Sequence, residues 1–216
     1  MVHKGSGIFL VYVDIDATHD QEFNEWYTTE HLPELQAVPG ILAAARYVAV
    51  KGGPKYLAFY ELEDIDVLHT PAFTNRPRTP WGERMAPSVI GTNLTRIVGE
   101  QIYPDRIEMA EREMAPVLQI GRMSVPPAVE AEWNAWYNGA YIPGYRKVPG
   151  VIYARRYRVH EGTSGYTTVY EFASTAVPES AEWKAQQQQS SPDSPRMRQA
   201  MTHAPGSAGV YTRIDP

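Results

Sequence analysis

The chain predicts an α+β fold assembled from two tandem copies of one β-α-β-β-α-β unit. Three observations predict it: an internal repeat at a constant offset of 110 residues, the same order of strand and helix signals in both copies, and a charged, proline-punctuated stretch between them.

The repeat is gapless between residues 22–47 and 132–157, and eleven of those 26 positions are identical. Asn24 matches Asn134, Trp26-Tyr27 matches Trp136-Tyr137, Pro33 matches Pro143, Val38-Pro39-Gly40 matches Val148-Pro149-Gly150, and Arg46-Tyr47 matches Arg156-Tyr157. The offset persists at Tyr56 and Tyr166, at Tyr60-Glu61 and Tyr170-Glu171, and at the aromatic pair Phe73 and Trp183. Duplication accounts for this; the copies span residues 1–105 and 116–216.

Each copy opens with an apolar, β-branched strand, at 8–16 and 117–125. A helix follows, with Thr18 and Gln21 at capping-box spacing and Phe23, Trp26, Tyr27 and His31 at helical intervals. Val-Pro-Gly ends it, because proline resists continuation and glycine tolerates a left-handed turn. Two strands then form a hairpin, 41–50 with 56–62 and 151–160 with 166–172, around Gly-containing turns. A weaker helical stretch (66–73; 178–187) and a final strand (92–103; 209–214) complete the ferredoxin-like plan. Residues 104–115 carry the boundary, with a helical turn at 106–112, and the biased run 186–195 reads as a loop or frayed helix end.

Composition bounds the function. The 216 residues are 43% hydrophobic, enough for one large domain or two small ones, each with a core. A net charge of −5 with interspersed signs supplies no basic stripe for nucleic acid and leaves a small neutral or anionic organic ligand open. With no cysteine there is no disulfide, thiolate metal site or cysteine nucleophile. The apolar run 8–13 is too short to span a membrane and lacks a cleavage site behind it, so the expected location is the cytoplasm. Metal-ligand spacings, a dinucleotide or phosphate-binding glycine loop and a Gly-x-Ser-x-Gly elbow are all missing, so no metal or other cofactor is expected.

The run Trp26-Tyr27-Thr28-Thr29-Glu30-His31-Leu32-Pro33, then Val38-Pro39-Gly40 and Arg46-Tyr47, resembles the EthD-like group of the dimeric α/β barrel superfamily. The resemblance covers nearly all of the first half and most of the second. It implies that two ferredoxin-like units pack sheet to sheet as a pseudo-dimeric α/β barrel, each with a pocket between sheet and helices. It also implies small aromatic or polyketide-like ligands, since such proteins include cofactor-free cyclases, lactone isomerases, lyases and monooxygenases. The duplication makes one chain supply both units, and further homodimerisation stays open. The motif's histidine is His31 in the first half but Tyr141 in the second, which implies one working pocket, in the first half.

His31 is the first candidate, because neutral imidazole gives or takes a proton near pH 7; the bland alternative is a histidine near a helix end facing solvent. Asp14 shares a strand face with Ile8, Leu10 and Tyr12, and either orients His31 or marks the strand end. Tyr12 and Tyr60 offer phenolic hydrogen bonds to a carbonyl or phenol oxygen, although the match of Tyr60 with Tyr170 suggests packing. Arg46 either pairs with Glu61 across the hairpin, as Arg156 would with Glu171, or binds an anion. Trp81, in a proline-rich stretch, either lids a ligand or folds onto the surface, and Trp26 and Trp136 read as core anchors. His69 reads as peripheral, and His3, His19, His160 and His203 show no ligand pattern. The functional reading is a cofactor-independent lyase, isomerase or cyclase in which His31 moves a proton beside a carbonyl. A non-catalytic or stress-associated binder of a small apolar metabolite and a haem-binding barrel are the alternatives.

Overall fold

The computed structural model describes residues 4–106, 113–188 and 193–214. The helical turn expected at 106–112 falls almost wholly outside these residues, as do part of the 186–195 run and His3.

The first half runs β1 (Gly7–Ile15), α1 (Asp20–Trp26), a π turn (Tyr27–His31), α2 (Leu32–Gln36), β2 (Ile41–Lys51) and β3 (Tyr56–Leu62). The weaker helical stretch breaks into a 3-10 turn (Ile65–His69) and three short helices, α3 (Pro71–Thr74), α4 (Pro80–Met85) and α5 (Pro87–Ile90), before β4 (Gly91–Tyr103). Prolines cause the fragmentation, since Pro71, Pro80 and Pro87 each stand at the start of a new helix, where a missing N–H costs nothing. The second half repeats the plan with β5 (Val117–Ser124), α6 (Glu130–Trp136), a π turn (Tyr137–Tyr141), α7 (Ile142–Tyr145), β6 (Val151–Glu161), β7 (Tyr166–Phe172), α8 (Ala181–Gln188), α9 (Ser194–Ala200), the two-residue β8 (Thr202–His203) and β9 (Gly209–Ile214). The expected Thr18–Gln21 capping box is replaced by Asp16, whose Oδ1 accepts from the Thr18 and His19 N–H groups at 2.9 and 3.2 Å.

Sheet register preserves the duplication residue for residue. Gly7 pairs with Leu62 as Val117 pairs with Phe172, and Val13 with Tyr56 as Met123 with Tyr166. A bulge falls between Ile41 and Ala43 on β2 and between Val151 and Tyr153 on β6. Gly40 and Gly150 have φ of 89° and 85°, and a Cβ there would come within 2.5 and 2.6 Å of Val67 and Val177, so glycine is required by both conformation and space.

Each half orders its strands β4-β1-β3-β2 or β9-β5-β7-β6, and its outer strands pair with the other half, β2 with β9 and β4 with β6. Eight strands thereby close into an antiparallel barrel, which removes the free edges that two separate sheets would expose. Alternation sends Ile8, Leu10, Tyr12, Leu57, Phe59, Ile120 and Tyr157 into the interior, and the opposite faces pack under the helices as two further apolar clusters.

The interior also holds a cluster of four buried charges, besides Arg122 over Tyr12. Arg155 donates to Glu61 through Nη1 at 2.9 Å and to Glu171 at 3.3 Å; Lys4 bonds to Glu171 and lies 3.8 Å from Glu61. Two carboxylates offset two cations across the halves. The Arg46–Glu61 and Arg156–Glu171 pairs expected from sequence do not form. Arg46 stands opposite Ala58 and points outward under α1, whereas Glu61 stands opposite Ala43 and points into the barrel.

Candidate functional site

The first-half helix is shaped for a cleft. Pro33 has no N–H to continue an α ladder, and the chain before it adopts a π turn in which the Leu32 N–H bonds to the Tyr27 carbonyl, five residues back. Trp26 and Tyr27 are thereby buried against the sheet, with His31 alongside them. Behind Tyr27 the Arg46 guanidinium lies 4.5 Å from its ring centre and donates to Asn24 Oδ1 at 2.8 Å; Asn24 in turn donates to Tyr56 Oη at 2.8 Å. Arg156, Tyr137, Asn134 and Tyr166 repeat this cluster in the second half, which marks it as part of the shared scaffold.

Between helix and sheet, closed over by residues 68–88, lies a cleft of about 370 Å³. Its floor is the outer face of the sheet (Phe9, Val11, Tyr60, Val98) and its helix wall carries Trp26, Tyr27, Glu30, His31 and Leu35. The overlying segment adds Phe73, Arg76, Arg78 and Thr79, and Arg96 enters from β4. The pocket combines aromatic and aliphatic walls with about as much polar and charged surface, a concave site sized for a small molecule.

His31 stacks on Trp26 (centroids 4.5 Å, planes 21° apart) and meets Tyr27 edge-on at 4.8 Å, with Nδ1 3.7 Å from Glu34 Oε2. Burial lowers its pKa, the positive charge of Arg76 lowers it further, Glu30 opposes and Arg46 adds to the lowering, bringing it to about 4. The imidazole is therefore neutral at pH 7. Tyr27 and Tyr60 share a phenol–phenol hydrogen bond of 2.6 Å, and burial raises both pKa values, so both stay protonated. Arg76 lies 4.1 Å over Phe73 and donates to its carbonyl.

Of the residues proposed from sequence for the site, His31 and Tyr60 meet at this cleft, whereas Tyr12, Asp14, Arg46 and Trp81 do not line it; Trp26, read as a core anchor, and His69, read as peripheral, line it too. Tyr12 points into the barrel, against Tyr211 (5.9 Å) and beneath Arg122 (4.9 Å). Asp14, next to last in β1, accepts from the Lys55 N–H at 2.6 Å and from Asn93 Nδ2 at 2.8 Å. Arg46 sits behind Tyr27, and Trp81 packs on the core while donating to Glu22 Oε1 at 3.0 Å. Sequence reasoning missed Phe9, Arg76, Arg78 and Arg96. Strand alternation opposite Tyr12 would have found Phe9, but the arginines carry no periodic signal.

In the second half the same space is filled. Tyr141, at the position of His31, packs on Trp136, Tyr137 and Tyr145 at 4.8, 4.6 and 4.9 Å. Tyr145 replaces Leu35 and Trp183 replaces Phe73; the two rings meet at 4.4 Å with planes tilted by 52°, and both are 2% exposed.

Among the described residues no cluster of three or more His, Cys, Asp or Glu could hold a metal, and no helix is long and apolar enough to cross a membrane.

No family model and no curated protein matches the sequence. Solved structures do match in fold. An anthrone oxidase-like protein aligns at TM-score 0.60 and 12% identity, over 100% of this chain and 94% of its own. A candidate monooxygenase from Fusobacterium nucleatum aligns at TM-score 0.59 and 8% identity (98% and 94%), and a haem-binding protein from Thermus thermophilus at 0.56 and 11% (100% and 93%). Identities this low speak to architecture alone. The architecture is that of the dimeric α/β barrel proteins, with both ferredoxin-like units supplied by one chain.

Proposed function

We propose that the first-half cleft binds a small ring-bearing carbonyl compound and that His31 moves a proton at the carbon beside its carbonyl, without a cofactor. The observation that carries this is the neutral imidazole held on Trp26 and Tyr27 inside an aromatic cleft, under the field of Arg76. A base with a pKa near 4 is weak alone. Proton abstraction, however, creates an enolate in the same step, and Arg76 and the Tyr60 phenol are the groups available to hold its oxygen. The new negative charge offsets Arg76, so imidazolium becomes favourable as the enolate forms. The Trp-x4-His-x-Pro resemblance to EthD-like proteins and the anthrone oxidase-like neighbour support a small aromatic substrate. One enolate step serves isomerisation, cyclisation and lyase chemistry alike.

The test is solvent deuterium exchange at the methylene of anthrone, followed by NMR under nitrogen. Exchange above the buffer rate is expected, with a loss of about 100-fold or more in His31→Gln, the scale of general acid–base catalysis. Undiminished exchange in a folded His31→Gln protein would rule the reading out. Neutral His31 and the wall arginines are also residue types that would hold haem, so a haem titration runs beside it. No Soret shift is expected.

A further inference from the structure

Resting on that reading of the cleft, we infer that its ligand is an acid: a ring compound whose carboxylate, or an equivalent anionic group, is held by Arg76 and Arg78, with Arg96 beside them.

Among the described residues the three arginines of the cleft, Arg76, Arg78 and Arg96, meet no carboxylate at ion-pair distance, although Glu30, Glu34 and Glu161 of the lining match them in number. Arg76 is half-buried and donates to a backbone carbonyl, whereas Arg78 and Arg96 are exposed. Arg76 and Arg78 are close enough to repel each other, since the charge of Arg78 helps lower the pKa of Arg76, after burial and against Glu34 and Tyr60. An anion between Arg76 and Arg78 would relieve that repulsion.

The wall carboxylates match the arginines in charge without pairing to them. Glu30 Oε1 accepts from Trp26 Nε1 at 3.0 Å and from Thr79 Oγ1 at 2.5 Å, Glu34 lies 3.7 Å from the neutral His31 ring and acts on Arg76 through its charge, and Glu161 of β6 is the third carboxylate of the lining. Comparison of the halves points the same way. Val11 pairs with Arg96, whereas the matching pair of strands in the second half ends at Ile120 with Gly209, one residue short of the equivalent position. The plugged half has no cation at that position. Arginine suits the task because its planar fork matches a carboxylate bidentately, while Phe9, Trp26 and Phe73 supply ring contacts beside it.

The experiment is calorimetric titration with 2-naphthoate and with its neutral isostere 2-naphthamide, on the wild type, Arg78→Gln and the Arg76→Gln/Arg78→Gln pair. Naphthoate is expected to bind at least about tenfold tighter than the amide, the size of one charge-assisted contact. Arg78→Gln should shrink that ratio and the double variant should bring it close to one. Equal affinities in the wild type, or a ratio unchanged in the double variant, would overturn the inference. Saturable haem binding that displaces naphthoate would overturn the cofactor-free reading on which the inference rests. Binding of neither naphthalene with anthrone exchange intact would sink the acid assignment alone; loss of both would sink the functional reading too.

Discussion

The two halves superpose in register yet differ in what fills the space between helix and sheet. In the first, His31, Leu35 and Phe73 surround a cleft of about 370 Å³; in the second, Tyr141, Tyr145 and Trp183 interlock at 4.4–4.9 Å. The scaffold under both is the same, an arginine set among three aromatic rings and bonded to an asparagine. What is repeated therefore holds the fold, and what differs decides whether a ligand can enter.

The largest stability contrast should come from the paired positions Phe73 and Trp183. Trp183→Ala empties a buried aromatic site and should cost about 3–5 kcal/mol, measured as the shift in urea midpoint. Phe73→Ala, at a half-exposed cleft wall, should cost clearly less. Equal losses would break the open-versus-filled distinction.

Acid should act on the first half through His31. Its folded pKa is about 4 against an ordinary 6.5, set by burial, Arg76 and Arg46 against Glu30, with Glu34 adjacent. The unfolded chain then holds more protons between those values. Stability should fall as pH drops from about 6.5 to about 4, by up to about 3 kcal/mol, and this component should level off below. His31→Gln should remove that part of the slope. Tyr141→Phe should leave it intact, because burial raises the Tyr141 pKa and keeps the phenol neutral throughout. An unchanged slope in His31→Gln would show that the ring is not held in its neutral form.

The scaffold asparagines give a smaller contrast. Asn24→Ala removes the acceptor for Arg46 Nη2 and should cost about 1–3 kcal/mol. Asn134→Ala should cost less, since Asn138 still accepts from Arg156 Nη1. The reverse order in thermal unfolding would mean that the two clusters are not equivalent.

The architecture was legible because the repeat supplied two independent readings of one pattern, and glycine, proline and aromatic positions coincided in both. His31 was legible because it breaks the repeat; Tyr60 was named for its phenol, while its match with Tyr170 pointed to packing. Tyr12 and Asp14 were placed with them because both faces of a barrel strand are apolar, one lining the interior and the other lying under the helices. Period-two alternation then separates the faces without saying which is which. Arg76 and Arg78 were missed because they lie in a proline-broken segment without periodicity, and Arg96 because only strand register turns it toward the cleft.

The central claim is one working cleft per chain, in the first half. Titration with anthrone, followed by quenching of tryptophan fluorescence, tests it most directly, because Trp26 lines that cleft. The account predicts one anthrone per chain, binding abolished when Leu35→Tyr installs the second half's plug, and binding retained in Tyr145→Leu. Two anthrones per chain, or binding that survives Leu35→Tyr, would contradict it.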